Sequence, residues 1–561
     1  MHWLPVVFFV VGVVGGDGRL NGEEDGPLAV TPLGSIKGSW MTSRKGRRFE
    51  AYRGIPYAEP PVGELRFQPP KPIKKYRQAV NASVDGPMCP QPTSPEDYVD
   101  EDCLRLNVYT PKRNSPNPLP VVVFIHQGGF YSVSGRSNVV GPHYLMDRDL
   151  VLVAINYRLG SLGFLSTGDG LASGNNGFKD QVAALRWVRD NIGAFGGDPH
   201  SVTLSGYSAG SYSIALHMVS PMSRGLFHRA VSMSGSPYSQ LEIPHHQRHL
   251  AEKQARLVGC PTNNSKVIVD CLKTVPWKQM GDSLEGFAEF AYDPVFIWKP
   301  VVEQSFGQEV FLPHHPLELI RAGLLYSVPY IISQTRDEFF WKAFTILKNE
   351  TLMSQLNEDW YNVAPIPFML PEDSHEAARQ LRETYLGESP LVNDSGTASS
   401  LGKLYGDSVI GFGVHRLANI MCRVSRHPVY YYQFSYMGNH SFYEDPGSNK
   451  PVAVAHHDDL IYLFSISELF PAVCLTGEDA AMVDRMTAIL YNFARFGDPN
   501  PRPDTPELAT LSWPAMDPHH RQYLRISSDF TVHTKQSEDR FQLWDRLYPL
   551  GYDTLVTAAR A

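Results

Sequence analysis

Ser201-Val202-Thr203-Leu204-Ser205-Gly206-Tyr207-Ser208-Ala209-Gly210 is the stretch whose reading decides the fold. Its first five residues have strand character, and Ser211 through Ile214, Leu216 and Met218 read as a helix with an apolar face. A serine between strand and helix, with Gly206 and Gly210 two places away on either side, has the form of a nucleophile elbow. The turn is so sharp that side chains at the flanking positions would collide, which is why both need glycine. The new helix aims its N-terminal amides at Ser208, where they can stabilise a developing anion.

Working outward, a helix is expected from Asp180 to about Phe195, with Val182, Leu185, Val188, Ile192 and Phe195 on one face. Gly196-Gly197-Asp198-Pro199 ends it and launches the strand that carries the serine. Pro120 to His126 is a continuous apolar run, as expected of a strand buried on both faces, and opens into Gln127-Gly128-Gly129-Phe130. Val151–Tyr157, residues 230–236, Val328–Ser333 and Val429–Phe434 read as further strands, and a helix from about Glu478 to Phe496 closes the sheet. Residues 28–40 and 48–57 read as opening antiparallel strands, and Glu101–Tyr109 as another. This alternation implies an α/β fold with a large, mostly parallel central sheet covered by helices on both faces. Residues 240–400, richer in helix and loop, are expected to cap the site.

The 561 residues contain no linker-like run and no internal repeat, so residues 17–561 are expected to form a single α/β domain. Hydrophobic residues at 43% and charged ones at 19% describe an ordinary globular chain with a sizeable core. A net charge of −8 argues against nucleic acid or an anionic membrane as partner. Residues 1–16, almost wholly apolar from Val6 to Val14 and ending in Gly15-Gly16, read as a signal peptide too short to span a bilayer. No anchor or retention signal is read near Ala561, so the expected destination is outside the cell. Sequons beginning at Asn81, Asn263, Asn349, Asn393 and Asn439 agree with export. So do six cysteines, with Cys89–Cys103 and Cys260–Cys271 closing short loops and the pairing of Cys422 and Cys474 left open.

A serine hydroxyl needs a base to become nucleophilic, and the base needs an orienting acid. In an α/β-hydrolase these follow in the order Ser, acid, His, with the acid just past a buried strand and the base on a late loop. Arg336-Asp337-Glu338 and Ala455-His456-His457-Asp458-Asp459 stand at such places, and the order alone does not choose among their members.

Gly54-Ile55-Pro56-Tyr57-Ala58, Pro61-Val62-Gly63, Glu101-Asp102-Cys103-Leu104, Asn156-Tyr157-Arg158-Leu159-Gly160, Phe195-Gly196-Gly197-Asp198-Pro199 and the elbow carry a more specific likeness. From about residue 28 to 545 the chain resembles the type-B carboxylesterase/lipase family, cholinesterase-like α/β-hydrolases, and among these the secreted insect carboxylesterases. The resemblance implies Ser208 as nucleophile, Glu338 as acid and His456 as base. It implies oxyanion-hole amides from Gly128, Gly129 and Ala209, a supporting serine at Ser234, and a structural salt bridge between Arg66 and Glu101. No metal or organic cofactor is implied, and the partner is a small-molecule ester.

Three residues depart from the family's common pattern. Gln127 replaces the first glycine of a His-Gly-Gly-Gly loop and is expected to alter pocket polarity with activity retained. Tyr207 replaces a glutamate and is expected to remove a buried carboxylate near the base. Ser211-Tyr212 replaces a Gly-Ala step and is expected to narrow the space there. Tyr238, Phe287, Phe290, Phe296, Trp298, Phe339, Phe340 and Trp341 are candidate pocket walls. The function these features imply is hydrolysis of small to medium apolar carboxylic esters. A hormone- or lipid-ester hydrolase is the runner-up, and a catalytically weak adhesion protein of the same fold is the rival from another class. Absence of tryptophan from the Cys89–Cys103 loop argues against a cholinesterase. The sequence leaves the natural ester and the oligomeric state open.

Overall fold

The computed structural model describes residues 26–551 except 112, 114, 115, 372 and 446. The signal-peptide reading of residues 1–16 lies outside these. The principal sheet has eleven strands. In chain order they are β1 (Ser39–Thr42), β2 (Arg48–Pro56), β3 (Arg105–Thr110), β4 (Leu119–Ile125), β5 (Val151–Ile155) and β6 (Gly197–Tyr207). They continue with β7 (Arg229–Met233), β8 (Tyr330–Thr335), β9 (Val429–Phe434), β10 (Gln522–Ile526) and β11 (Phe530–Thr534). Across the sheet they run β11-β10-β9-β8-β7-β6-β4-β5-β3-β2-β1. The stretch from β10 to β5 pairs in parallel, and the strands beyond it at either edge pair antiparallel.

The centre of the sheet is apolar on both faces because helices cover both. Every residue of β4 and of β5 is buried. Val121, Val123 and Ile125 face one core, shared with Val182 and Leu185 of helix α1 (Asn176–Asn191) and Ile214 of α2 (Ala209–His217). Val122 and Phe124 face the other, shared with Met486, Ile489 and Phe493 of α3 (Glu478–Phe496). The two-residue period of a strand is what divides one apolar run between two cores.

Several boundaries differ from the sequence reading. The strand expected over 28–40 is broken: Leu28–Thr31 and Gly34–Lys37 form an antiparallel hairpin in a separate small sheet with Val80–Asn81. Pro32 has no amide to donate, and Gly34 turns the chain at φ 135°. Helix α1 begins at Asn176, four residues before the expected start, and its last turn, Ile192–Phe195, tightens to 3₁₀ geometry. The sheet does not close at α3, since β10 and β11 extend it.

Cys89–Cys103 and Cys260–Cys271 are disulfides, while Cys422 and Cys474 are unpaired. Arg66 meets Glu101 through two bonds of 2.6 Å, as the resemblance implies. Both side chains are buried, and Arg66 also donates to the carbonyls of Leu272 and Val275. Breaking one partner of such a buried pair typically costs about 3–5 kcal/mol.

Candidate active site

Ser208 stands at the carboxyl end of β6, between Tyr207 and the first residue of α2. Its backbone is in the left-handed region, φ 52° and ψ −114°. The surrounding glycines show why the turn fits. A Cβ on Gly206 would lie 2.7 Å from the Gly210 carbonyl carbon, and one on Gly210 would lie 2.1 Å from the Ile125 oxygen. A Cβ on Gly235 would lie 2.1 Å from the Ser208 oxygen. The Ser208 amide donates to the Met233 carbonyl at 2.8 Å, which ties the elbow to β7. The strain of the serine is therefore held by backbone on three sides.

Glu338 follows β8 by three residues, and His456 lies in the loop after β9. The His456 Nδ1 lies 2.5 Å from Glu338 Oε2. The other carboxylate oxygen, Oε1, accepts the Ser234 hydroxyl at 2.6 Å and the Thr335 amide at 2.8 Å. Burial pushes the Glu338 carboxyl up and His456 down. Three converging donors favour the ionised carboxylate, so the arrangement is a carboxylate receiving the Nδ1 proton of a neutral imidazole. That tautomer leaves Nε2 free as the acceptor, and Nε2 has no partner among the described residues.

Ser208 and His456 line one cavity of about 610 Å³, together with Gln127, Gly128 and Gly129. Gly128 and Gly129 have φ of 110° and 59°. The Gly128 carbonyl turns away to accept the Tyr131 and Ser132 amides, both at 2.9 Å. Among the described residues no acceptor pairs with the amides of Gly128, Gly129 or Ala209. Just upstream, His126 stacks on Tyr157 at 4.5 Å and its Nδ1 lies 2.7 Å from the Gln127 carbonyl. Burial lowers the His126 pKa to about 4, so it is neutral and donates, fixing the start of the loop.

A model of the carboxylesterase family matches residues 25–544. This chain belongs to the carboxylesterase family. It is 36% identical to a carboxylic ester hydrolase of Bombus ignitus, over 92% of this chain and 93% of that one. It is likewise 36% identical to a juvenile hormone esterase of Tribolium castaneum, over 85% and 84% of the two chains. The crystal structure of juvenile hormone esterase from Manduca sexta, with OTFP covalently attached, superposes with a TM-score of 0.81. That pair shares 28% identity, covering 94% of this chain and all of the other.

The departures from the carboxylesterase pattern have definite places. Gln127 is buried and lines the cavity, with its side-chain oxygen unpaired among the described residues. Tyr207 is fully buried, and burial first, then the nearby Asp459 and Glu338 carboxylates, hold its pKa well above the ordinary tyrosine value. Tyr212 packs edge-on to Phe130 at 5.6 Å and beside Phe296 at 5.5 Å, and is not a wall of the cavity.

Of the eight candidate walls, Phe339 and Trp341 line the cavity; Tyr238, Phe287, Phe290, Phe296, Trp298 and Phe340 do not. Phe339 adopts φ 49°, which turns its ring to within 4.5 Å of His456, while Phe340 packs on Phe344. The remaining aromatic walls are Tyr131, Tyr292 and Phe442. Tyr131 was within reach of sequence reasoning, being next to the glycine loop; nothing local marks Phe442. The five sequon asparagines are all exposed. Among the described residues no group of three or more His, Cys, Asp or Glu is placed to hold a metal ion. No helix there is long and apolar enough to cross a membrane.

Proposed function

We propose that this member of the carboxylesterase family hydrolyses small to medium apolar esters through an acyl-enzyme on Ser208, with His456 as base and Glu338 as its orienting acid. The observation that carries the reading is the 2.5 Å contact between His456 Nδ1 and Glu338, made beside a serine held in an elbow on the same cavity. The Ser208 oxygen attacks the ester carbonyl carbon as its proton passes to Nε2 of His456. The amides of Gly128, Gly129 and Ala209 receive the oxyanion; losing one such donor typically costs roughly 3–4 kcal/mol. The imidazolium then protonates the departing alkoxide, and the alcohol leaves. Water attacks the acyl carbon, gives its proton to His456, and Ser208 recovers that proton as the carboxylic acid is released. Ser234 supports Glu338 through its hydroxyl.

A hormone-ester substrate is the second reading, favoured by the likeness to two juvenile hormone esterases. Residues 17–561 are read as one catalytic domain, secreted after removal of residues 1–16 and glycosylated at some or all of Asn81, Asn263, Asn349, Asn393 and Asn439. Their exposure supports the last point.

The test is hydrolysis of a short-chain nitrophenyl ester together with stoichiometric labelling by an organophosphate. Ser208→Ala is expected to lower kcat by about 10⁴-fold or more and to abolish labelling. Turnover that survived this change would overturn the reading. A panel of esters graded by acyl and alcohol size separates the two substrate classes.

A further inference from the structure

The structure assigns a positioning role to Tyr207, which we infer holds the catalytic imidazole in place by gripping the peptide between His456 and His457. This inference rests on the proposed role of His456.

Tyr207 is the last residue of β6, and its main chain is fixed by pairing with Met233 of β7. It is completely buried. Its ring lies 5.0 Å from that of His456, edge-on, and 5.0 Å from that of His457. Its hydroxyl oxygen accepts the His457 amide at 2.8 Å. One side chain, rooted in a central strand paired on both sides, therefore touches the base and anchors the next residue's main chain.

The anchor matters because His457 is strained. Its φ is 84°, a region that side chains other than glycine rarely adopt and that persists only where the surroundings impose it. In the His457 ring Nε2 has no partner among the described residues, and the polar contact the ring makes is to the backbone of His456, its own chain neighbour, so it brings no anchor from outside the loop. The ring rests against His456, Tyr207 and Phe442 at 4.2, 5.0 and 5.0 Å. Main-chain restraint comes from the Tyr207 hydroxyl on the amide side and from the Leu460 amide, which donates to the His457 carbonyl at 2.9 Å. Removing the hydroxyl frees the first of these and lets the preceding residue, the base, rotate with its peptide.

Glu338 fixes Nδ1 of the imidazole, but one hydrogen bond leaves a ring free to swing about that contact. The phenol ring on one side and Phe339 at 4.5 Å close off that swing. The geometry thus divides the work. Glu338 sets the tautomer, and Tyr207 sets where Nε2 points.

The experiment is Tyr207→Phe, which keeps the ring and removes only the hydroxyl. Rates are taken per organophosphate-titrated site, so that unfolded protein does not count. Two esters of the same acid are compared, one leaving as nitrophenolate and the other as an alkoxide. An alkoxide must be protonated by the imidazolium as it departs and nitrophenolate need not be, so a misplaced ring penalises the alkyl ester more. The expected result is a kcat lower by roughly 10- to 100-fold on the alkyl ester, a clearly smaller loss on the nitrophenyl ester, and an unchanged KM. Equal losses on the two esters, or none, would overturn the proposal. Should the variant not fold, hydrogen exchange of wild-type residues 454–460 decides. Protection of the His457 amide comparable to that of β6 upholds the contact, and exchange at an open-loop rate refutes it. A wild-type protein inactive on both esters and unlabelled at Ser208 would instead refute the functional reading itself.

Discussion

The proposed nucleophile and the proposed base are positioned by different means. Ser208 is held by main chain: Gly206, Gly210 and Gly235 let carbonyls and α-carbons approach so closely that a single added methyl has nowhere to go. The base loop is held by side chains. Asp337 accepts the Val454 amide at 2.9 Å, and Asp458 accepts the amides of Ala455 and Phe442 at 2.7 and 2.8 Å and the hydroxyl of Ser441. The elbow is thus specified by the absence of side chains and the base loop by their polarity. The first should fail by not forming, and the second by forming with the imidazole in the wrong place.

The largest test of this contrast is at the paired histidines. His456→Ala is expected to lower kcat by about 10⁴-fold or more, whereas His457→Ala, which keeps the amide that Tyr207 holds, should remain largely active. The reverse result would move the base by one residue.

Glu338→Gln should lower kcat by about 10³- to 10⁴-fold and also change the pH profile. Burial already lowers the His456 pKa. The carboxylate opposes this by stabilising the imidazolium, so its removal lowers the imidazole pKa further. The base then stays neutral to lower pH, and the acid limb of kcat/KM should move down. An acid limb that moved up would contradict the geometry. In the unaltered enzyme that limb belongs to the His456–Glu338 pair as a unit.

Gly210→Ala addresses the other half of the comparison. The added Cβ meets the backbone oxygens of Ile125 at 2.1 Å and His126 at 3.1 Å, neither of which is free to move. Overpacking of this kind costs about 1–3 kcal/mol or more. The expected outcome is a lower melting temperature together with loss of titratable sites. A stable protein with full labelling would show that the elbow has slack.

Asp458→Asn should have the smallest effect. The amide can accept through only one oxygen where the carboxylate serves three donors, at a cost of about 1–3 kcal/mol in stability. The protein should remain folded with a reduced kcat and intact organophosphate labelling. Loss of labelling with an unchanged melting temperature would mean that the base loop also shapes the elbow.

Much of this was legible in the chain because the elbow, the acid loop and the base loop are each local. Strand, glycine and serine in β6 and α2 lie within a dozen residues, and Glu338 lies just past an apolar run. The choice of Glu338 over Asp337, and of His456 over His457, came from resemblance. The structure gives both choices a geometric correlate, since Asp337 is spent on the Val454 amide and it is His456 whose Nδ1 meets Glu338. What escaped depends on neighbours distant in sequence. Phe339 and Phe340 are equivalent as letters, and only a left-handed backbone at Phe339 separates wall from packing. Burial and the nearby carboxylates of Asp459 and Glu338 all act on Tyr207, a neighbourhood that a position-by-position reading does not reveal. The break in the strand expected over 28–40 was signalled by Pro32 and Gly34 together.

Apart from the elbow, the glycine loop and the base loop, the cavity walls come from segments around 131–139, 292–295, 339–342, 442 and 466–469, none of which belongs to a strand of the principal sheet. Residues there can be exchanged without disturbing any ladder hydrogen bond. Substitution there can therefore reshape the space an ester must fit while leaving untouched the sheet that carries Ser208.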